Sequence, residues 1–247
     1  MIATIAMSGL MLFSTFFFFD LAWIFIPFFI LLSYITTYFA IAEGVDEVEW
    51  LMLFAMPIAF TISSYLFYYL FPVRWLTRIP FISIYGVSMY AILLTSNIFN
   101  VGVERNLQLY RAAFSVNYFY QTMIAFLSFN TLASFKESFV VNGIVAAGIT
   151  YVLALQFLWS IKLDLRLDKQ IAVYAFLIAL VLGQGAVIFS FMPYVPSVFA
   201  LVLTAAYYSL AGLVYSHLDL RLFRETVREY VAVLAIVFVI GILSLSW

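Results

Sequence analysis

Apolar runs of about 20 residues, following one another along the chain, constrain this sequence more than any other feature. Trp50 to Phe71, Val140 to Ser160 and Ile171 to Phe191 are examples, and none carries a charged side chain. Twenty residues of α-helix rise about 30 Å, the thickness of a bilayer's hydrocarbon layer. Inside that layer every backbone N–H and C=O must find its partner within the protein, which leaves only helices and closed barrels. A barrel would alternate apolar and polar residues in segments of roughly 10. These runs are apolar on all sides, as a lipid-spanning helix requires. Charged residues make up 9% of the chain and its mean hydropathy is +1.14, whereas a soluble domain carries roughly 25% charge. The expected fold is therefore all-α: a polytopic transmembrane helix bundle of about nine spans, with eight as the other count. Residues 1–247 read as a single integral membrane domain with no extramembrane domain.

Taken in order, Met1 to Ala42 is too long for one span and carries one charge, Asp20, so it divides at Phe19-Asp20 into two helices. The start of the chain lacks the basic flank and small-residue cleavage site of a signal peptide, and is expected to be a retained first helix. Glu43 to Glu49 is an acidic loop. Pro27 and Pro57 lie inside apolar runs and are expected to bend their helices rather than end them. Tyr65, Tyr68, Tyr69 and Trp75 suggest an aromatic belt at the headgroups. A proline-bracketed loop, Pro72 to Pro80, holds Arg74 and Arg78. Helices are then expected over Phe81 to Ile98, Leu109 to Leu132, Val140 to Ser160, Ile171 to Phe191, Ser197 to Ser216 and Val227 to Leu245.

Lys and Arg set orientation, since cytoplasmic loops collect them. With nine spans, eight of the 11 basic residues fall on one side and Arg74, Arg78 and Lys136 on the other. The N-terminus is expected in the cytoplasm and the C-terminus outside, in a cell (cytoplasmic) membrane. The loops after helices six and eight share the words Leu163-Asp-Leu-Arg-Leu167 and Leu218-Asp-Leu-Arg-Leu222. They mark either two related hairpins or a chance match in a Leu-rich chain.

The one long interruption is Thr95 to Asn130. Polar side chains within a span are costly and are kept for packing or for function. On the fifth helix Arg111, Ser115, Tyr118 and Thr122 share one face, with Tyr110, Phe114, Asn117 and Gln121 beside them. Asn97 and Asn100, three apart at the end of the fourth helix, can face the same groove. Glu104 and Arg105 form an ion pair with Arg111 or a solvated loop. Asn97, Asn100, Glu104, Arg105, Arg111, Asn117 and Gln121 are thus the candidate polar groove: either the wall of a hydrophilic cavity or a set of interhelical hydrogen bonds. Gly143-x-x-x-Ala147 and Ala179-x-x-x-Gly183 permit close helix packing, joined by Ala205 and Ser209. Gly183-Gln184-Gly185 is part of that seam or a break exposing Gln184.

The absence of Cys excludes disulfides and thiolate sites, and the single His217 excludes clustered-His metal centres within one chain. No nucleophile elbow, HExxH pair or Walker sequence occurs. No catalytic residue, metal ligand or cofactor is assigned from the sequence. A net charge of −1 gives no reason to expect nucleic acid.

Leu93-Leu-Thr-Ser-Asn-Ile-Phe-Asn-Val101, Leu109-Tyr-Arg-Ala-Ala113 and Arg221-Leu-Phe-Arg-Glu-Thr-Val-Arg-Glu-Tyr230 resemble an uncharacterised family of bacterial polytopic membrane proteins. The likeness covers most of the chain after Trp50. It implies a bacterial inner membrane location and brings no activity, cofactor or site. That family tends to carry an acid where this chain has Ser96. Three functions follow from the residues: a non-enzymatic membrane component that packs against partner proteins or lipids, a small transporter or lipid-handling permease using the polar groove, and, last, a lipid-modifying enzyme. The expected partners are membrane lipids and either a partner membrane protein or further copies of the chain.

Overall fold

A computed structural model describes residues 2–17, 22–41, 50–71, 75–101, 107–161, 163 and 167–245. These hold nine helices and no strand: α1 (Ile2–Phe17), α2 (Ala22–Ile41), α3 (Trp50–Tyr68), α4 (Trp75–Val101), α5 (Leu107–Ser134), α6 (Phe139–Trp159), α7 (Lys169–Phe189), α8 (Pro196–Leu218) and α9 (Arg224–Leu243). Seven are long and apolar enough to cross a membrane; α1 is apolar but short, and α5 is not among the seven. The polar stripe on α5 lowers its hydropathy, although its 28 residues exceed a bilayer span in length.

Pro27 and Pro57 lie inside α2 and α3, so neither ends its helix. Pro80, expected to close a loop, also lies inside a helix, because α4 begins at Trp75. That shift moves Arg78 out of the expected loop and into the first turns of α4, where it is buried with 8% of its surface exposed. Its guanidinium carbon stands 4.7 Å from the centre of the Phe16 ring, a cation–π contact. Helix starts carry ordinary caps: Ser138 Oγ accepts from the Val141 N–H, and Asp168 Oδ1 accepts from the Gln170 N–H at 3.0 Å. Helix α8 ends in a left-handed Leu220 (φ 56°), with the Arg221 N–H donating to Ser216 C=O at 2.9 Å and the Leu220 N–H to His217 C=O at 3.2 Å. This is the Schellman geometry, with leucine where glycine is usual. At the first position of the two LDLRL words the backbone differs: Leu163 is left-handed (φ 52°), whereas Leu218 is the last residue of α8. That difference favours chance over a repeated hairpin.

Two compact units form along the chain. The first holds α1 to α4 and α5 up to Tyr120. Here α1 packs on α2 and α4, and α3 on α2 and α4. Its interior is aromatic: Phe60 and Tyr85 stack at 5.5 Å, and Phe29 meets Tyr65 at 4.4 Å. Tyr65 and Tyr68 are both buried, so they do not belong to the aromatic belt expected of them. Their rings pack against Phe29 and Phe81 inside the unit instead. Tyr85 Oη and Thr61 Oγ1 are 3.0 Å apart, and the Thr61 hydroxyl also lies 2.8 Å from the Pro57 carbonyl one turn back on α3.

The second unit holds α5 from Gln121 together with α6 to α9. Helices α6 and α7 pack along the small-residue seam expected from the sequence. A β-carbon on Gly183 would stand 2.9 Å from the Ala147 β-carbon and 3.0 Å from the Gly143 carbonyl oxygen. Only hydrogen fits there. Helix α9 packs on α8, where Gly241 faces Val202 and the Ser209 hydroxyl donates to the Tyr230 carbonyl at 3.1 Å.

Candidate functional site

The candidate groove residues fall into several places rather than one. Glu104 and Arg105 lie outside the described residues. Arg111 is exposed near the start of α5. Asn97 is half-buried on α4, one turn from a buried Asn100.

Asn100 ties two helices together in the first unit. Its Nδ2 donates to the Ile41 carbonyl at 2.7 Å, at the last residue of α2. That carbonyl is one of the four a helix leaves without an internal partner at its C-terminus. The side chain thus caps α2 from outside. Close by in the same unit, Ser96 Oγ donates to the Leu53 carbonyl of α3 at 3.3 Å. Leu53 stands four residues before Pro57, which has no N–H to give that carbonyl, so the serine takes the missing donor's place. Thr95 Oγ1 donates to the Ala91 carbonyl at 2.9 Å. Asn117 completes this cluster. It lines a cleft with Met56, Ile92, Thr95, Ser96 and Tyr120, and the cleft is too narrow to admit a water molecule. Asn117 is 2% exposed and has an interaction partner of its own.

One turn further along α5, Gln121 belongs to the second unit and is fully buried. Its Nε2 donates to Gln156 Oε1 of α6, and its Oε1 accepts from the Tyr207 hydroxyl of α8. One carboxamide therefore uses its donor and its acceptor at once, and joins three helices. Both ends of an amide buried in hydrocarbon need such partners, since leaving either unpaired costs the desolvation of that group. Gln156 and Tyr207 were not among the residues picked from the sequence. The signal for Gln156 was there: a lone glutamine in the apolar run Leu153-Ala-Leu-Gln-Phe-Leu158. Nothing in the local sequence distinguishes Tyr207 from the other 16 tyrosines.

The stripe on α5 is thus split by exposure. Asn117 and Gln121, four apart on one face, are buried, while Arg111 and Ser115 on the neighbouring face are exposed. Among the described residues no group of three or more His, Asp and Glu is placed to hold a metal ion. The polar side chains that cluster are amides and hydroxyls. Such groups donate and accept hydrogen bonds but do not transfer protons near neutral pH, and here they bridge helices.

An all-helical chain with seven spans' worth of apolar helix, stitched by buried amides, defines a polytopic membrane protein of the helical class. The chain belongs to the family described as protein of unknown function (DUF5656), whose model matches residues 14–244. No curated protein and no solved structure matches it.

Proposed function

We propose that this protein is a non-enzymatic component of a bacterial cytoplasmic membrane, with its N-terminus inside, that acts by packing against partner proteins or lipids. The observation that carries this is the condition of the polar stretch. Asn100 bonds an α2 carbonyl, Ser96 an α3 carbonyl, and Gln121 bonds α6 and α8. A permease path needs amides that are free to exchange partners with a passing solute, and room for that solute. The cleft beside Asn117 offers no such room. Arg111 suits another role, because at the exposed start of α5 its guanidinium can meet a lipid phosphate at the membrane face.

Native mass spectrometry from nanodiscs tests the proposal. Retained anionic-lipid adducts are expected to weaken in Arg111→Ala and to persist in Asn117→Leu. A solute or lipid adduct lost from Asn117→Leu and kept in Arg111→Ala would instead support the permease reading.

A further inference from the structure

Arg78 is the fourth residue of α4, in the first unit. It is 8% exposed, and its Nε is sealed from solvent with no hydrogen-bond partner among the described residues. The guanidinium lies instead over the Phe16 ring of α1. A ring face recovers only part of what a guanidinium loses on leaving water, so a buried cation ordinarily needs an opposite charge. No described residue of the first unit is Asp or Glu. Tyr68, the last residue of α3, adds a second unused donor to this corner. Its hydroxyl is buried without a partner, and its ring stands 5.0 Å from that of Phe81, one turn along α4 from Arg78.

The start of α4 favours an anion as well. Its first turn leaves backbone N–H groups without partners inside the helix, at the positive end of the helix dipole. Helical side chains lean towards the N-terminus of their helix, so Arg78 brings its charge to the same end.

We infer that Arg78 and the first turn of α4 hold a phosphate group. A guanidinium presents paired N–H donors that match two phosphate oxygens. Phosphate keeps further oxygens for the helix N–H groups, whereas both oxygens of a carboxylate are used by the guanidinium alone. A lipid headgroup and free inorganic phosphate both carry this group. The inference deepens the lipid half of the role proposed above, at a site that does not include Arg111.

The full chain in maltoside micelles is melted with added phosphatidylglycerol, with diacylglycerol of the same acyl chains, or with inorganic phosphate. Each titration is run in the native sequence and in Arg111→Ala, which removes the other proposed phosphate contact. Phosphatidylglycerol should raise the melting temperature of both chains, and diacylglycerol of neither. Arg78→Gln should raise the phosphatidylglycerol concentration needed by about 10- to 100-fold, the range for a hydrogen bond to a charged group. Arg78→Lys keeps the charge, loses the fork, and should fall between. An equal, Arg78-dependent shift with inorganic phosphate identifies the free ion as the source; a shift with phosphatidylglycerol alone identifies the headgroup. Stabilisation by diacylglycerol equal to that by phosphatidylglycerol overturns the inference. So does a dependence identical to the native chain's in either Arg78 variant. Asp20, four residues after Phe16 in the sequence, is the control for a counter-charge from the chain itself. Asp20→Asn should leave the phosphatidylglycerol shift unchanged. A loss of stability equal to that of Arg78→Gln, and not additive with it, would make Asp20 the partner and also overturn the inference. The Arg111→Ala comparison is read separately, so failure at either arginine leaves the other reading standing.

Discussion

Removing Gln121 should cost more than removing any other amide of the polar stretch. Gln121→Leu keeps the size of the side chain and deletes two hydrogen bonds, one to Gln156 and one from Tyr207. Interhelical hydrogen bonds in membranes contribute about 0.6–2 kcal/mol each, so the pair amounts to roughly 1–4 kcal/mol. Leucine also leaves the Tyr207 hydroxyl in a fully buried setting. A double-mutant cycle separates the bond from that burial. Gln121→Leu and Tyr207→Phe are measured alone and together by reversible denaturation in mixed micelles. Tyr207→Phe should be costly in the native background and neutral or stabilising once Gln121 is leucine, where it removes a stranded hydroxyl. The expected coupling is about 0.6–2 kcal/mol. Additive effects, with coupling near zero, would refute the claim that these two side chains act as a unit.

Three further outcomes follow from particular positions. Gly183→Ala should destabilise the protein by about 1–3 kcal/mol, because its new methyl meets the Gly143 carbonyl oxygen at 3.0 Å and backbone cannot move aside; Gly148→Ala, with open space around it, should be neutral or gain up to about 1 kcal/mol of helix propensity, and paired melting curves compare them. Leu220→Gly should raise stability by about 1 kcal/mol, since a left-handed leucine is strained and this one is 91% exposed and loses little packing; denaturant titration reads the gain. An odd number of spans puts the termini on opposite sides, so an impermeant maleimide added to intact cells should label Trp247→Cys and reach Ile2→Cys only after permeabilisation; labelling of both from one side would favour eight spans.

Much of the architecture was legible because lipid imposes few solutions. The division of the first apolar stretch, the interior positions of Pro27 and Pro57, and the Gly143/Gly183 seam all follow from length, hydrophobicity and residue size. Arg78 and Tyr65 were not legible. Their burial depends on Phe16 and Phe29, from other helices, and no local pattern announces a distant ring. The same holds for the site. Asn117 and Gln121 stand out as polar residues in an apolar helix, and the buried face of α5 could be drawn from their spacing. Their partners could not. Gln156 is 35 residues away from Gln121 and Tyr207 is 86, and that pairing exists only once the helices have packed. Their assignment to one groove with Arg111 came from treating neighbouring stripes as one surface, whereas the packing buries Asn117 and Gln121 and exposes Arg111 and Ser115.

The central claim is that the buried polar side chains of the 95–130 stretch hold helices together in a dry interior. Water access at Asn117 tests it most directly. Asn117→Cys is the only thiol in the chain, and a small water-soluble thiosulfonate is applied from both faces of a nanodisc, with Ile2→Cys as the accessible reference. A dry cleft predicts modification at least about 100-fold slower than the reference, in line with local opening rather than open access. Modification at the reference rate would mean water reaches Asn117 in the folded protein, and the packing account of this stretch would be wrong.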